Sequence, residues 1–325
     1  MGPAGETSEG NVAERLDVPD ERGSSALVQL SAPRAGRVRL PGFLRKPATN
    51  YISVQLLKND LRKLHLHTVC ESARCPNMHE CFHRGAATFM ILGNLCTRGC
   101  GFCSVPKGSP AKREFTLDAC EPENVARMAA EMKLRYVVIT SVNRDDLADG
   151  GSRHFAETVA RVREALPEAR VEVLTPDFCG DHEAVARVLD AGPHVFNHNL
   201  ETVERLYRRV RPQADYQQSL AVLALAKRYR PEVLTKSGLM VGLGESEEEV
   251  RKILDDLRAS AVEVATIGQY LQPTRRSLEV AEHVPEERYE RWKRYGLSIG
   301  FQMIFAGPFV RSSYMAEMVN ETARA

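Results

Sequence analysis

The sequence predicts an α/β fold, a parallel sheet rolled into a partial (β/α)6 barrel of the TIM type. Two observations predict it: from about residue 86 short apolar runs alternate without interruption with amphipathic segments, and the units number six. Strict alternation calls for parallel strands joined by right-handed crossovers, as a barrel or as a doubly wound sheet. Six units fall short of the eight of a closed barrel, and a partial barrel fits that count. In either arrangement chemistry belongs at the carboxyl ends of the strands.

The strands are read at 87–92, 136–140, 171–174, 195–197, 234–241 and 264–268. They are the short apolar runs that a sheet buries on both faces. Helices are read between them at 122–133, 152–166, 181–191, 203–210, 215–229 and 246–259, where apolar residues recur at helical spacing. The last has a clear start, with Ser246 and Glu249 as an S-x-x-E capping box and Glu247 and Glu248 at the favourable end of the helix dipole. A further helical region covers 281–298. Around the barrel, at 86–300, lie a Gly-, Ser- and Pro-bearing tail over 1–45, a cysteine-bearing extension over 46–85 and a C-terminal extension over 301–325.

Composition narrows the function. Of 325 residues, 43% are hydrophobic and 27% charged, ordinary for a globular protein. Lys and Arg number 44 against 43 Asp and Glu, a net charge of +1, so no global field draws in nucleic acid or an anionic membrane. The most apolar late run, 296–310, is shorter than the roughly 20 residues that span a bilayer. The first 22 residues carry six acids against Arg15 and Arg22, unlike a secretory or organellar leader, and a cytoplasmic location is expected. The basic stretch Arg34, Arg37, Arg39, Arg45 and Lys46 reads as a solvated arm or as a contact for an acidic partner.

The cysteines carry the chemistry. Six of eight fall between positions 70 and 103, and in a reducing compartment clustered thiols are more often metal ligands than disulfides. Cys96, Cys100 and Cys103 form C-x3-C-x2-C directly after the first strand. Three thiolates on one short loop can bind three irons of a [4Fe–4S] cube and leave the fourth open to substrate chemistry. Gly99 and Gly101 let such a loop wrap closely. A structural zinc loop and reactive thiols are the alternatives. Cys70, Cys75 and Cys81 form C-x4-C-x5-C, with His65, His67, His79 and His83 nearby. Spacing alone leaves zinc and iron–sulfur equally open there.

Other candidates are weaker. Asn197, His198 and Asn199 end a strand on the catalytic side, as ligand contacts or as turn residues. Lys236 lies within a strand and would meet a carboxylate if it faces inward. Gly242 and Gly244 lack the rest of G-x-G-x-x-G, since Glu247 fills its last position. They read as a strand end pressed against an adenosyl ligand, or as a plain tight turn. Asp145, Asp146 and Asp149 lack EF-hand spacing and read as a loop at the barrel mouth. Arg275 and Arg276 follow a strand, and Cys120 and Cys179 read as core or loop thiols.

The C-x3-C-x2-C motif, with Phe102 before its last cysteine, resembles the signature of radical S-adenosylmethionine enzymes. Over about 68–316 the chain resembles the lipoyl synthase family. The resemblance rests on 70–77, 96–105, 137–146 with Asp149-Gly150-Gly151, and Leu174-Thr175-Pro176-Asp177. It continues through His198-Asn199-Leu200-Glu201-Thr202, Lys236 with Gly242 to Glu245, 268–276, and Gly307-Pro308 before Arg311-Ser312-Ser313-Tyr314. The departures, at Phe82-His83, 304–307 and Phe309, touch no ligand position.

The resemblance implies insertion of two sulfur atoms at C6 and C8 of an octanoyl chain amide-linked to a lysine of a lipoyl carrier domain. It implies two [4Fe–4S] clusters and S-adenosylmethionine, whose cleavage gives a 5′-deoxyadenosyl radical able to attack an unactivated C–H bond. Cys96, Cys100 and Cys103 would hold the first cluster. Cys70, Cys75 and Cys81 would hold an auxiliary, sulfur-donating one between the two extensions, with Ser313 rather than Ser312 as its fourth ligand. Asn197, Asn199, Lys236, Gly242 and Gly244 are the candidates for contacts to S-adenosylmethionine. The implied partners are octanoylated E2 subunits of 2-oxoacid dehydrogenases, the glycine cleavage H protein, and a flavodoxin or ferredoxin as electron donor.

Overall fold

The computed structural model describes Met1 and residues 51–316, apart from 73–74, 84–85, 110–115 and 315. Apart from Met1, the tail expected over 1–45 lies outside the described residues. One eight-stranded sheet runs in chain order. A two-residue strand, β1 (His67–Thr68), pairs antiparallel with β2 (Ala86–Ile91). From β2 the sheet is parallel, through β3 (Tyr136–Ser141), β4 (Arg170–Leu174), β5 (Val195–Asn197), β6 (Leu234–Val241), β7 (Val264–Gln269) and β8 (Met303–Gly307). The six expected strands are β2 to β7. β8 adds a seventh parallel strand from the expected C-terminal extension, where Gly307-Pro308 cuts the apolar run to five residues.

Ahead of β2 lie α1 (Tyr51–Lys63), α2 (Val69–Ser72) and α3 (Met78–His83). The crossovers use α4 (Glu121–Glu131), α5 (Ser152–Ala165), α6 (His182–Asp190), α7 (Tyr207–Val210) with α8 (Tyr216–Tyr229), α9 (Glu247–Ala259) and α10 (Glu286–Ser298). The capping box of α9 forms as expected, with Glu249 N donating to Ser246 Oγ and Ser246 N to the Glu249 carboxylate. α10 starts five residues later than its sequence suggests. Residues 281–284 are occupied elsewhere, with Ala281 N donating to Gly242 O and Val284 N to Gln269 Oε1.

Alternation along the strands sorts side chains into two faces. Phe89, Ile91, Val137, Ile139, Val171, Val173 and Phe196 join the apolar core under the first helices. Leu239, Val241, Ala265, Ile267 and Ile304 do the same for the last ones. The other face is the barrel interior, and it is layered. At the amino ends Val195, Leu234 and Val264 make an apolar plug, backed by Met303 and Phe305. Toward the carboxyl ends comes a polar layer of Tyr136, Glu172, Asn197 and Lys236. Two residues further along the strands Val138, Leu174 and Thr266, and four further along Met240 and Gly268, line a cavity.

Candidate active site

The cavity measures about 450 Å³, and among its lining residues are Cys70, Cys75, Cys81, Cys103, Asn199 and Ser313. Three segments distant in sequence meet there. Cys70 lies in α2, Cys75 N donates to Cys70 O at 3.0 Å, and Cys81 lies in α3 with its N–H on Asn77 O. Ser104 Oγ donates to Ser72 O at 2.6 Å and so ties the first cysteine loop to α2. Asn77 Nδ2 donates to Phe309 O at 2.6 Å, and the Tyr314 hydroxyl bonds Glu80 at 3.2 Å. These two contacts strap the C-terminal arm across the second triplet.

The loop from Cys96 to Cys103 is pinned by its backbone. Cys96 N donates to Pro106 O, Gly108 N to Cys96 O, Gly101 N to Val210 O and Leu278 N to Gly101 O. A Cβ on Gly101 would lie 2.9 Å from the Leu278 side chain and 3.3 Å from Arg209 O, so the loop needs a glycine there. Asn143 N and Val105 N reach Cys96 Sγ and Cys103 Sγ at 3.4 Å each, donors that favour thiolates.

Arg98 fixes the same loop from its side chain. Its guanidinium is 5% exposed and forks onto Asp145 at 2.7 and 2.9 Å and onto Asp177 at 2.7 and 2.9 Å. The ends of β3 and β4 are thereby joined to the cysteine loop. Burial alone would raise Asp177, but hydrogen bonds and the charge of Arg98 outweigh it and hold the carboxyl down at about 2.

The donor set fits iron–sulfur groups. Burial, and secondarily the neighbouring Cys75, push the Cys70 thiol up to about 12. Burial pushes Cys103 up to about 11, with Cys100 and Cys96 adding to it. Sulfurs that are buried and mutually repulsive as thiolates are relieved by a shared cationic centre.

Polar atoms at the strand ends await a ligand as well. Asn143 Oδ1 after β3, Thr175 Oγ1 after β4, and His198 Nε2 and Asn199 Oδ1 after β5 are buried without a partner among the described residues. His198 Nδ1 faces Thr175 O at 2.9 Å, so it carries the proton. Nε2 is then a bare acceptor. Burial, then the charge of Arg211, lower His198 to about 4 and keep it neutral.

The other sequence candidates divide. Asn199 lines the cavity and donates to Ser312 Oγ at 2.6 Å. Asn197 and Lys236 lie one layer deeper, both bonded to Glu172. Gly242 and Gly244, at φ +94° and +106°, form a turn outside the cavity lining. There Gly242 N and Leu243 N bond the Glu245 carboxylate, and a Cβ on Gly242 would meet Gln269 Nε2 at 2.2 Å. Asp145 joins Arg98, Asp146 pairs with Arg144, and Asp149 caps the turn before α5 by accepting from Gly151 N and Arg153 N. Cys120, Cys179, Arg275 and Arg276 are exposed.

Sequence reasoning missed Glu172, Arg98 and Asp177. The signal for Glu172 was an acid in the middle of an apolar strand, at the same inward parity as Lys236.

Comparison with known proteins decides the family. A model of the radical SAM superfamily matches residues 90–257, and one of the N-terminal domain of lipoyl synthase matches 17–75. The lipoyl synthase of Rubrobacter xylanophilus is 49% identical over 322 residues, 99% of this chain and 95% of that protein. That of Thermus thermophilus is 51% identical over 280 residues, 86% of each. The chain belongs to the lipoyl synthase family. It is a radical S-adenosylmethionine sulfurtransferase, and lipoyl synthase activity implies [4Fe–4S] and S-adenosylmethionine as cofactors and lipoyl domains as the substrate class. Solved structures show the same fold at low identity. Methylornithine synthase has a TM-score of 0.52 at 16% identity, covering 76% of this chain and 74% of that one. A maturase of the [FeFe]-hydrogenase has 0.51 at 14%, covering 80% and 69%. Among the described residues no helix of this lipoyl synthase family member is long and apolar enough to cross a membrane.

Proposed function

We propose that this chain inserts sulfur at C6 and C8 of an octanoyl-lysine on lipoyl carrier domains, with one [4Fe–4S] cluster on each cysteine triplet. One observation carries this: a single cavity is lined by Cys103 of the first triplet, all three cysteines of the second, and Ser313. When bound, the clusters and S-adenosylmethionine supply the radical that breaks an unactivated C–H bond and the sulfide that replaces the hydrogen.

The chain's own residues supply position and shelter. Cys96, Cys100 and Cys103 hold the first cluster on a loop locked by Arg98. Cys70, Cys75, Cys81 and Ser313 hold the second. Asn199 and His198 Nε2 offer an amide and an acceptor at the carboxyl ends of the strands, where S-adenosylmethionine binds. Asn197 and Lys236, through Glu172, keep the layer beneath rigid, while Gly242 and Gly244 shape the strand end beside it. Val138, Leu174, Met240 and Tyr270 give the cavity apolar walls, which suit an eight-carbon chain entering on a lysine arm and keep water from the reacting carbon.

Octanoylated E2 subunits and the glycine cleavage H protein are the carriers this assigns, flavodoxin or ferredoxin the reductant, and the cytoplasm the site of action. The test is anaerobic reconstitution, with iron and sulfide counted and an octanoyl-lysyl peptide as substrate. Two clusters per chain and a lipoyl product are expected. One cluster, or zinc at the second triplet, overturns the assignment. Free octanoate is expected to be a poor substrate, since its carboxylate must be desolvated and the carrier contacts are lost; equal turnover of both would refute the carrier-bound form.

A further inference from the structure

The C-terminal arm crosses the barrel mouth over two strand positions that have no side chain. We infer that Gly238 of β6 and Gly268 of β7 are the seat of this arm, positioning residues that present Ser313 to the cavity. A Cβ on Gly268 would lie 2.1 Å from the Val310 carbonyl oxygen and 3.0 Å from its carbon. One on Gly238 would lie 2.5 Å from Thr266 Oγ1, 2.9 Å from Asn199 Oδ1 and 3.1 Å from Ser312 Oγ. Neither glycine has a positive φ. Their backbones would therefore accept alanine, and glycine inside a strand weakens it. At Gly268 close approach of the arm backbone excludes a side chain; at Gly238 a side chain would press first on Thr266 and Asn199 of the barrel and, next to them, on Ser312 of the arm, which Asn199 holds.

The seat works with fixed points along the arm. Asn77 holds Phe309 O, Gly268 admits Val310, Asn199 bonds Ser312 Oγ, and Glu80 holds the Tyr314 hydroxyl. Every neighbour of Ser313 is thus anchored, while Ser313 itself lines the cavity with no side-chain partner among the described residues. The clash at Gly268 is with backbone and cannot be relieved by turning a side chain. The arm, a loop beyond the last strand, yields before the barrel does. The seat itself is geometric; only its catalytic consequence rests on the proposed role of Ser313.

Gly268→Ala and Gly238→Ala in the full chain test it by two readouts. One is the rate of tryptic cleavage after Arg311, followed by mass spectrometry. The other is lipoyl product formed per S-adenosylmethionine cleaved. Both variants are expected to speed cleavage after Arg311 roughly ten-fold relative to cleavage elsewhere, because proteolysis tracks the population of the released arm. Product per cleavage event is expected to fall several-fold. Unchanged cleavage after Arg311 in both variants overturns the seat. Faster cleavage there with an undiminished product ratio sustains the seat and overturns the role of Ser313. If one variant loosens the whole barrel, the other decides. General loosening in both, with no preference for Arg311, overturns the seat.

Discussion

Lys236 Nζ bonds both oxygens of Glu172, at 3.0 and 2.9 Å, in an ion pair sealed inside the barrel. Their side chains are 1% and 0% exposed. Tyr136 Oη and Asn197 Nδ2 donate to the same carboxylate at 2.7 and 2.8 Å, so Glu172 accepts four hydrogen bonds. This layer separates the apolar plug from the cavity. Breaking such a pair strands a buried charge and costs about 3–5 kcal/mol, whereas replacing both partners by apolar groups is far less harmful. Lys236→Met should therefore lower stability by that amount, and Glu172→Leu in the same chain should restore most of it. Denaturant midpoints of the two variants measure this; an additive double variant would show that the pair is not coupled.

Arg98 is the second point of rigidity. Arg98→Ala leaves Asp177, fully buried, without its cation. A loss of roughly 3 kcal/mol is expected, and Asp177→Asn in that background should recover part of it. Arg98→Lys keeps the charge but not the fork over two carboxylates. S-adenosylmethionine cleavage by Arg98→Lys is expected to fall about ten-fold, with the second cluster still assembled. Iron content together with cleavage rate gives the check.

His198 sets a pH limit. Its folded pKa, about 4, lies below the ordinary histidine value near 6.5. The unfolded chain binds the proton first, so stability is complete above about pH 6.5 and declines as pH falls from there toward 4. A shift of that size corresponds to about 3 kcal/mol in total. Asp177, held at about 2, adds a further loss only at lower pH, between the ordinary carboxylate range and 2. His198→Gln should flatten stability between pH 6.5 and 4 without affecting the lower window. A pH series of denaturant midpoints tests it, and an unchanged slope would mean that His198 is not buried neutral.

The parallel strands β2 to β7 and the two cysteine triplets were legible in the sequence because both are local patterns. An apolar run of three to eight residues, a capping box or a C-x3-C-x2-C spacing is complete within a short window. β8 was read as part of the extension because its five residues end at Gly307-Pro308, and α1 was passed over within the cysteine-bearing extension although Val54, Leu57 and Leu61 recur there at helical spacing. Nothing local says that Asn77 reaches Phe309, 232 positions away, or that Arg98 reaches Asp177, 79 positions away. From the sequence an inward Lys236 could meet a carboxylate; that it meets Glu172 follows from the stagger of β4 against β6. Gly242 and Gly244 carry the same glycine signal as Gly238 and Gly268. The positive φ of Gly242 and Gly244 marks a turn, and the three-dimensional course of the arm marks the seat.

The two triplets should be separable. Replacing Cys96, Cys100 and Cys103 by Ala should leave about four irons per chain and abolish S-adenosylmethionine cleavage. Replacing Cys70, Cys75 and Cys81 should also leave about four irons, yet keep cleavage without sulfur insertion. Retained sulfur insertion in the second variant would remove the donor role of that triplet.

Ser312 and Ser313 are adjacent, and the structure gives them different surroundings. Ser312 Oγ accepts from Asn199 Nδ2 at 2.6 Å and so belongs to the fastening of the arm. Ser313 lines the cavity beside Cys70, Cys75 and Cys81 with its hydroxyl uncommitted among the described residues. A hydroxyl oxygen is a harder ligand than thiolate and a weaker partner for iron–sulfur centres. The corner it holds is the one most easily opened when sulfide must leave. Ser313→Ala should keep iron at that site, since three thiolates remain, and keep S-adenosylmethionine cleavage, while lipoyl formation falls about ten-fold or more. Ser313→Cys should bind iron as well or better and still form less product, because the stronger ligand opposes opening. Ser312→Ala should cost less than either, since Asn77 and Glu80 still hold the arm at both ends. Full lipoyl formation by Ser313→Ala beside a damaged Ser312→Ala would transfer the role to Ser312, and full activity in both would end it.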